Sequence, residues 1–197
     1  MPTLHVIHLD AWVSQYLREA DYAASIVYDD DIIDSLWEQA ILLADTGLTY
    51  DKGFYQEEWN RVVIAQEALT LEKYVRASRS GRGTRLDRKK RIQVWRVLEC
   101  YYNLMKESHK RDINTAMYEC RNLLRQSGCR KRYAHIIVDE GQDFSDNAYR
   151  LLRELAGPEH PDDIFIVGDS HQRIYKNHPV LSRCGINVRG AQQQAQD

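Results

Sequence analysis

Two acid-bearing strings carry the most evident chemistry in this chain of 197 residues. Val138-Asp139-Glu140 and Val167-Gly168-Asp169 each set a carboxylate at the end of an apolar, β-branched run. Such a run reads as a buried strand, and ligands of open α/β sheets sit outside the carboxyl ends of the strands. Asp139 at that edge could hold Mg²⁺ through its water shell, because the ion takes one or two protein carboxylates and keeps several waters. Glu140 would then orient or deprotonate the attacking water of a phosphoryl transfer. The other reading is plainer: the pair merely ends a strand and begins a turn. An isolated Asp-Glu does not separate the two.

A second concentration of charge lies at RASRSGRGTRLDRKKR, from Arg76 to Arg91, with eight basic residues against Asp87 alone. Arg76, Arg79, Arg82, Arg85, Arg88, Lys89, Lys90 and Arg91 could grip a nucleic-acid backbone, with Gly81 and Gly83 letting amides approach phosphates. Affinity of that kind falls steeply with salt. A solvated basic face would have the same composition. The formal net charge of -2 averages over this unevenness and says little about partners.

The elements that must position these groups follow from periodicity. Leu4 to Leu9 is a short apolar run fit for a strand, and helical patterns then dominate for more than a hundred residues. Ile32, Ile33, Leu36, Trp37, Ala40 and Ile41 form an apolar stripe. Tyr55 to Tyr74 reads as helix, and the basic stretch as a loop feeding a helix from Asp87 to Glu107. That helix should turn Ile92, Trp95, Val97, Leu98 and Tyr102 inward. Another helix, Ile113 to Gln126, should stop at Ser127-Gly128. The period then changes. Ala134 to Val138 and Ile164 to Val167 read as strands covered on both faces, with a helix from Ser145 to Leu155 between them. Strand, helix, strand in about thirty residues is a βαβ unit, so the two strands should be parallel. The four tryptophans are most simply core residues, and the tail from 191 to 197 is expected to be disordered.

Ile136-Ile137-Val138-Asp139-Glu140-Gly141-Gln142-Asp143-Phe144-Ser145 resembles motif II of the UvrD/Rep-type superfamily 1 DNA helicases, usually DEAQD, with Gly141 in place of the common Ala. Val167-Gly168-Asp169-Ser170-His171-Gln172-Arg173-Ile174-Tyr175 is similar to motif III, VGDxxQxIY, of the same family. The resemblance implies that Asp139 is the metal carboxylate, Glu140 the general base and Gln172 the γ-phosphate sensor. It further implies that Gln142 and Asp143 couple the site to motif III, and that Gly168 and Asp169 belong to the same network. Leu4 to Trp12 resembles motif Ic, whose relatives touch single-stranded DNA, which makes His8 a DNA-contact candidate beside Arg79, Arg82, Arg85, Lys89 and Lys90. Relatives often follow motif III with a tryptophan that stacks on a base. This chain reads Tyr175-Lys176-Asn177-His178-Pro179, and Tyr175 is taken as a packing residue.

The fold expected from the resemblance is α/β: a partial RecA-like parallel sheet of the P-loop NTPase type with a large, mainly helical inserted domain. Residues 1–11 and 131–190 would form the ATPase part and 12–130 the insert. ATP and Mg²⁺ are the implied cofactors, and DNA, single-stranded or at a junction, the implied partner, with 3′ to 5′ polarity. The phosphate loop G-x-x-x-x-G-K-[ST] is not found in the sequence. Hydrolysis by this chain alone is therefore not expected; an excised piece, a broken gene product and a small protein that pairs with a second motor domain or partner chain all fit the sequence. The competing class is a non-catalytic DNA- or protein-binding module of helicase-like shape. No stretch approaches the ~18 apolar residues of a membrane span, and no C-x-x-C pair marks a zinc site, so a cytoplasmic setting is expected.

Overall fold

The computed structural model describes residues 4–126, 133–168 and 181–187. The chain divides into two compact units, Met1–Leu123 and Leu124–Asp197.

In the first unit the helices are α1 (Leu9–Glu19), α2 (Asp30–Ala44), α3 (Lys52–Glu58), α4 (Leu71–Arg76), α5 (Arg88–Glu107) and most of α6 (Ile113–Gln126). Side-chain caps set several starts. Asp29, Asp51, Thr70 and Asp87 each accept a main-chain N–H of the first turn of α2, α3, α4 and α5. The apolar stripe of α2 buries Leu36, Trp37 and Ala40 in a common core with Val94, Trp95, Val97, Leu98, Tyr101 and Met105 of α5. Ile92 and Tyr102, expected inward, are only half-buried; Val94 and Tyr101 take the interior. All four tryptophans are core residues. The ring of Trp37 stacks on Tyr101 with centroids 3.6 Å apart.

The expected helix from Tyr55 to Tyr74 is interrupted. α3 runs into a π-helical turn, Trp59–Ile64, and the chain then reverses, with Glu67 in the left-handed region, before Thr70 caps α4. The tighter competitor won here: a capping threonine and a reversal replaced a continuous stripe. Two short parallel strands, β1 (Ser25–Ile26) and β2 (Lys110–Arg111), had no apolar signal in the sequence.

The strand expected at Leu4–Leu9 does not form. Residues 4–8 are irregular, Leu4 is 86% and Val6 90% exposed, and α1 begins at Leu9. Strand geometry needs a hydrogen-bonded neighbour, and among the described residues none pairs with this run.

The second unit contains the expected strand, helix and strand: β3 (Ile136–Val138), α7 (Asp146–Ala156) and β4 (Ile164–Ile166). β3 and β4 are parallel, with Ile136 opposite Ile164, Ile137 opposite Phe165 and Val138 opposite Ile166. Ser145 caps α7 through Ala148 N, and Gly157, with φ 76°, ends it. Coverage on both faces is corrected. Ile137 and Phe165, side by side in the register, are 72% and 63% exposed, because alternate strand residues point oppositely and the face that carries these two is uncovered among the described residues. Ser127-Gly128 and the tail 191–197 lie outside the described residues.

Candidate functional site

The acid-bearing turn follows directly from the end of β3. Val138 is buried, and its carbonyl accepts Val167 N at 2.8 Å; Gly141 N then donates to Val167 O at 2.8 Å. These two bonds fasten the turn to the end of the neighbouring strand. Asp139 and Glu140 lie between them, both exposed. Asp139 Oδ1 accepts Glu140 N at 3.0 Å, and Glu140 adopts φ 51°, ψ 41°. A non-glycine residue in the left-handed region costs of order 1 kcal/mol and persists only where its surroundings over-determine it.

Those surroundings are visible. Asp143 N donates to Glu140 O at 3.0 Å, closing a 3₁₀ turn over Gly141–Asp143. The buried hydroxyl of Tyr149, on α7, donates to Gly141 O at 2.5 Å. A Cβ on Gly141 would lie 2.5 Å from Ile166 Cγ2 and 2.8 Å from the Tyr149 hydroxyl, so an alanine at 141 would not fit this packing without displacement. Gln142 Nε2 donates to Glu140 Oε2, and a Cβ on Gly168 would run into Gln142 Oε1. The Gln142 amide therefore spans from the Glu140 carboxylate to the main chain at Gly168.

Of the residues expected at this site, Asp139, Glu140, Gln142, Asp143 and Gly168 come together around the ends of the two parallel strands. Asp169 and Gln172 lie outside the described residues, as does Tyr175. Tyr149 and the packing role of Gly141 escaped sequence reasoning; the glycine at 141 was the one available signal. Among the described residues no group of three or more His, Cys, Asp or Glu side chains is arranged to hold a metal ion. Asp139 does fit the modest protein share that Mg²⁺ asks for: one exposed hard-oxygen ligand with room for waters.

The basic segment divides into two sets. Arg79 and Arg82 turn inward onto Glu58, which is fully buried. Arg79 Nε and Nη2 lie 2.6 and 2.8 Å from its carboxylate, Arg82 Nε 3.1 Å, and the Tyr74 hydroxyl donates to it at 2.8 Å. The side chains of Arg79 and Arg82 are 6% and 7% exposed. Arg82 also reaches Glu57 and Phe54 O, and Arg79 reaches Thr84 O. Burial works against ionisation of Glu58, but the hydrogen bonds from Arg79 and Tyr74 and the two guanidinium charges outweigh it, holding the carboxyl below its ordinary range. Arg91 is also structural: its Nη1 donates to the carbonyls of Tyr74, Val75 and Ala77 at the end of α4.

Arg85, Arg88, Lys89 and Lys90 remain exposed where α5 begins. Cations at a helix N-terminus face the positive end of the macrodipole, which costs stability but raises the local potential for an anion. His8 is exposed at the cap position of α1, with no side-chain cap bond. No helix among the described residues is long and apolar enough to cross a membrane.

The comparisons with known proteins agree with one another. YjcD of Bacillus subtilis (strain 168) is 24% identical over 179 residues, covering 87% of this chain and 19% of its own length. The ATP-dependent DNA helicase UvrD1 of Mycobacterium bovis is 41% identical over 51 residues, 23% of this chain and 7% of its own, and UvrD1 of Mycobacterium tuberculosis matches to the same extent. The chain thus spans a fifth or less of the relatives it resembles. The model of the UvrD/REP helicase N-terminal domain matches residues 6–178, most of the sequence. The chain belongs to the UvrD/REP helicase N-terminal domain family.

Proposed function

We propose that this chain contributes the metal- and water-handling part of an ATP-dependent DNA helicase or translocase, with the turn after β3 as motif II and the residues after β4 as motif III. The observation that carries the reading is the Glu140–Gln142–Gly168 arrangement, which ties the candidate base to the end of the neighbouring strand. Asp139 would hold Mg²⁺ with ATP, the ion neutralising charge on the phosphates when bound. Glu140, pinned in its left-handed backbone conformation, would take or orient the proton of the attacking water. Gln142 would hold that carboxylate and relay its position to the chain at Gly168. Asp143, Asp169 and Gln172 would complete the network, Gln172 as γ-phosphate sensor. Residues 1–11 and 131–190 would form the partial RecA-like domain and 12–130 its helical insert.

The cationic start of α5 would meet the DNA backbone. With Arg79 and Arg82 committed to Glu58, the contact rests on Arg85, Lys89 and Lys90, with His8 a further candidate. Single-stranded DNA, 3′ to 5′ polarity and a cytoplasmic setting belong to the same proposal, as does a second motor domain or partner chain.

Fluorescence anisotropy with single-stranded DNA at several salt concentrations tests the DNA arm. The triple variant Arg85→Ala, Lys89→Ala, Lys90→Ala should bind more weakly and lower the log–log salt slope by about 2, near 0.7 per lost phosphate contact. An unchanged affinity and slope would remove the start of α5 from the proposal.

A further inference from the structure

The other end of the two-stranded sheet holds a pair of groups that the proposed function does not use. His135 immediately precedes β3, and His160 lies in the segment leading to β4. Their rings meet edge to face, with centroids 6.2 Å apart, and both residues are exposed. Each ring is anchored by its Nδ1. His135 Nδ1 is 2.8 Å from Asp162 O, and His160 Nδ1 is 3.0 Å from Pro161 O. A carbonyl oxygen can only accept, so both Nδ1 atoms carry the hydrogen and donate. In the neutral imidazole that arrangement leaves the lone pair on Nε2, the coordinating nitrogen. Metal-binding histidines are typically held this way, with the second ring nitrogen donating to a backbone carbonyl or a carboxylate.

Of the neighbouring acids, Asp163 and Glu159 are otherwise engaged, and Asp162 is exposed. Asp163 Oδ2 is 2.7 Å from Arg153 Nη1 and accepts His160 N at 3.2 Å, while Glu159 Oε2 accepts Asn187 Nδ2 at 2.7 Å. The protein share of the site is therefore two imidazoles, with water or the exposed Asp162 carboxylate completing the shell.

We propose that His135 and His160 together form an open, two-imidazole binding site for a divalent transition-metal ion of the Zn²⁺ or Ni²⁺ type. Imidazole favours such ions, whereas carboxylate and water favour Mg²⁺, so the two ends of β3 would sort ions by ligand chemistry. At ~3.3 Å per strand residue, His135 and Asp139 are roughly 13 Å apart along the chain, too far to share one ion. Because Ile136 N donates to Asp163 O at 2.8 Å, the two histidines flank the first main-chain bond between the strand starts. An ion held there bridges the beginnings of β3 and β4 and binds the folded form selectively.

Calorimetric titration of the full chain with Zn²⁺, in wild type and in His135→Gln and His160→Gln, tests the site. One saturable Zn²⁺ equivalent is expected, weakened about tenfold or more in each variant and unchanged in Asp139→Asn. Long-range ¹H–¹⁵N spectra of the wild type give a second readout that does not depend on the variants folding. Both imidazoles should appear as the Nδ1–H tautomer, with Zn²⁺ shifting their Nε2 resonances. Absence of saturable binding, binding indifferent to both substitutions, or Nε2 resonances unmoved by Zn²⁺ would overturn the proposal.

Discussion

Glu58 and Glu140 are the same residue type in opposite circumstances. Glu58 is fully buried and takes bonds from Arg79, Arg82 and Tyr74. Glu140 is exposed, is held in a left-handed backbone conformation, and has Gln142 donating to its carboxylate. Saturating a buried carboxylate with two guanidiniums and a hydroxyl makes a folding element, because the charge has nothing left to offer a ligand. Presenting a carboxylate at the end of a strand, exposed and held by a single amide, leaves it available for chemistry. Around Glu58 the first unit spends charge on structure; the turn after β3 keeps its charges in solvent.

Breaking the buried side of that contrast should have the largest effect. Glu58→Ala leaves the Arg79 guanidinium without its carboxylate and Arg82 with Glu57 alone, and removing one member of a buried ion pair costs about 3–5 kcal/mol. Urea denaturation followed by tryptophan fluorescence should show a lower midpoint for the first unit, which holds all four tryptophans. The pH dependence follows from the depressed Glu58 pKa. Its contribution is present above the unfolded carboxyl value, near 4.3, and is lost as pH falls through the lower folded value. Wild-type stability should therefore decline more steeply than that of Glu58→Ala on acidification below about pH 4.3. Parallel curves would deny Glu58 this role.

The turn after β3 offers the next test. Gly141→Ala drives a Cβ against Ile166 and the Tyr149 hydroxyl, and overpacking of this kind costs about 1–3 kcal/mol. Tyr149→Phe removes only the bond to Gly141 O, a loss of about 1 kcal/mol. Thermal unfolding monitored on the second unit should rank them in that order. The reverse ranking would mean that Ile166 yields easily and the hydroxyl bond dominates.

Much of this contrast was legible in the residues, and the reasons for the rest are physical. Continuous β-branched runs located β3 and β4, though not which face each buries, and period-3.6 patterns located α2, α5, α6 and α7. The π-helical turn and α4 were read as one helix, because periodicity cannot see a reversal governed by Glu67 and the Thr70 cap. Leu4–Leu9 had strand composition without a partner, and composition cannot supply one. The basic stretch was read as uniform, yet Arg79 and Arg82 differ from Arg85 in facing a glutamate more than twenty residues earlier. That distinction is tertiary. So is Tyr149, whose hydroxyl looks like any other helical tyrosine until the turn lies beneath it.

Substitutions on the exposed side should barely touch the fold. Glu140→Gln keeps an exposed side-chain oxygen able to accept from Gln142 Nε2, so its unfolding free energy should stay within about 0.5 kcal/mol of wild type. A loss comparable to that of Gly141→Ala would make Glu140 a structural residue.

Paramagnetic broadening by Mn²⁺, an oxygen-preferring ion that stands in for Mg²⁺, most directly tests whether the strand end is built for chemistry. The account predicts that amide resonances of residues 139–142 broaden first in the isolated chain, and that Asp139→Asn abolishes the effect while His135→Gln does not. Broadening centred elsewhere, or unchanged in Asp139→Asn, would contradict it.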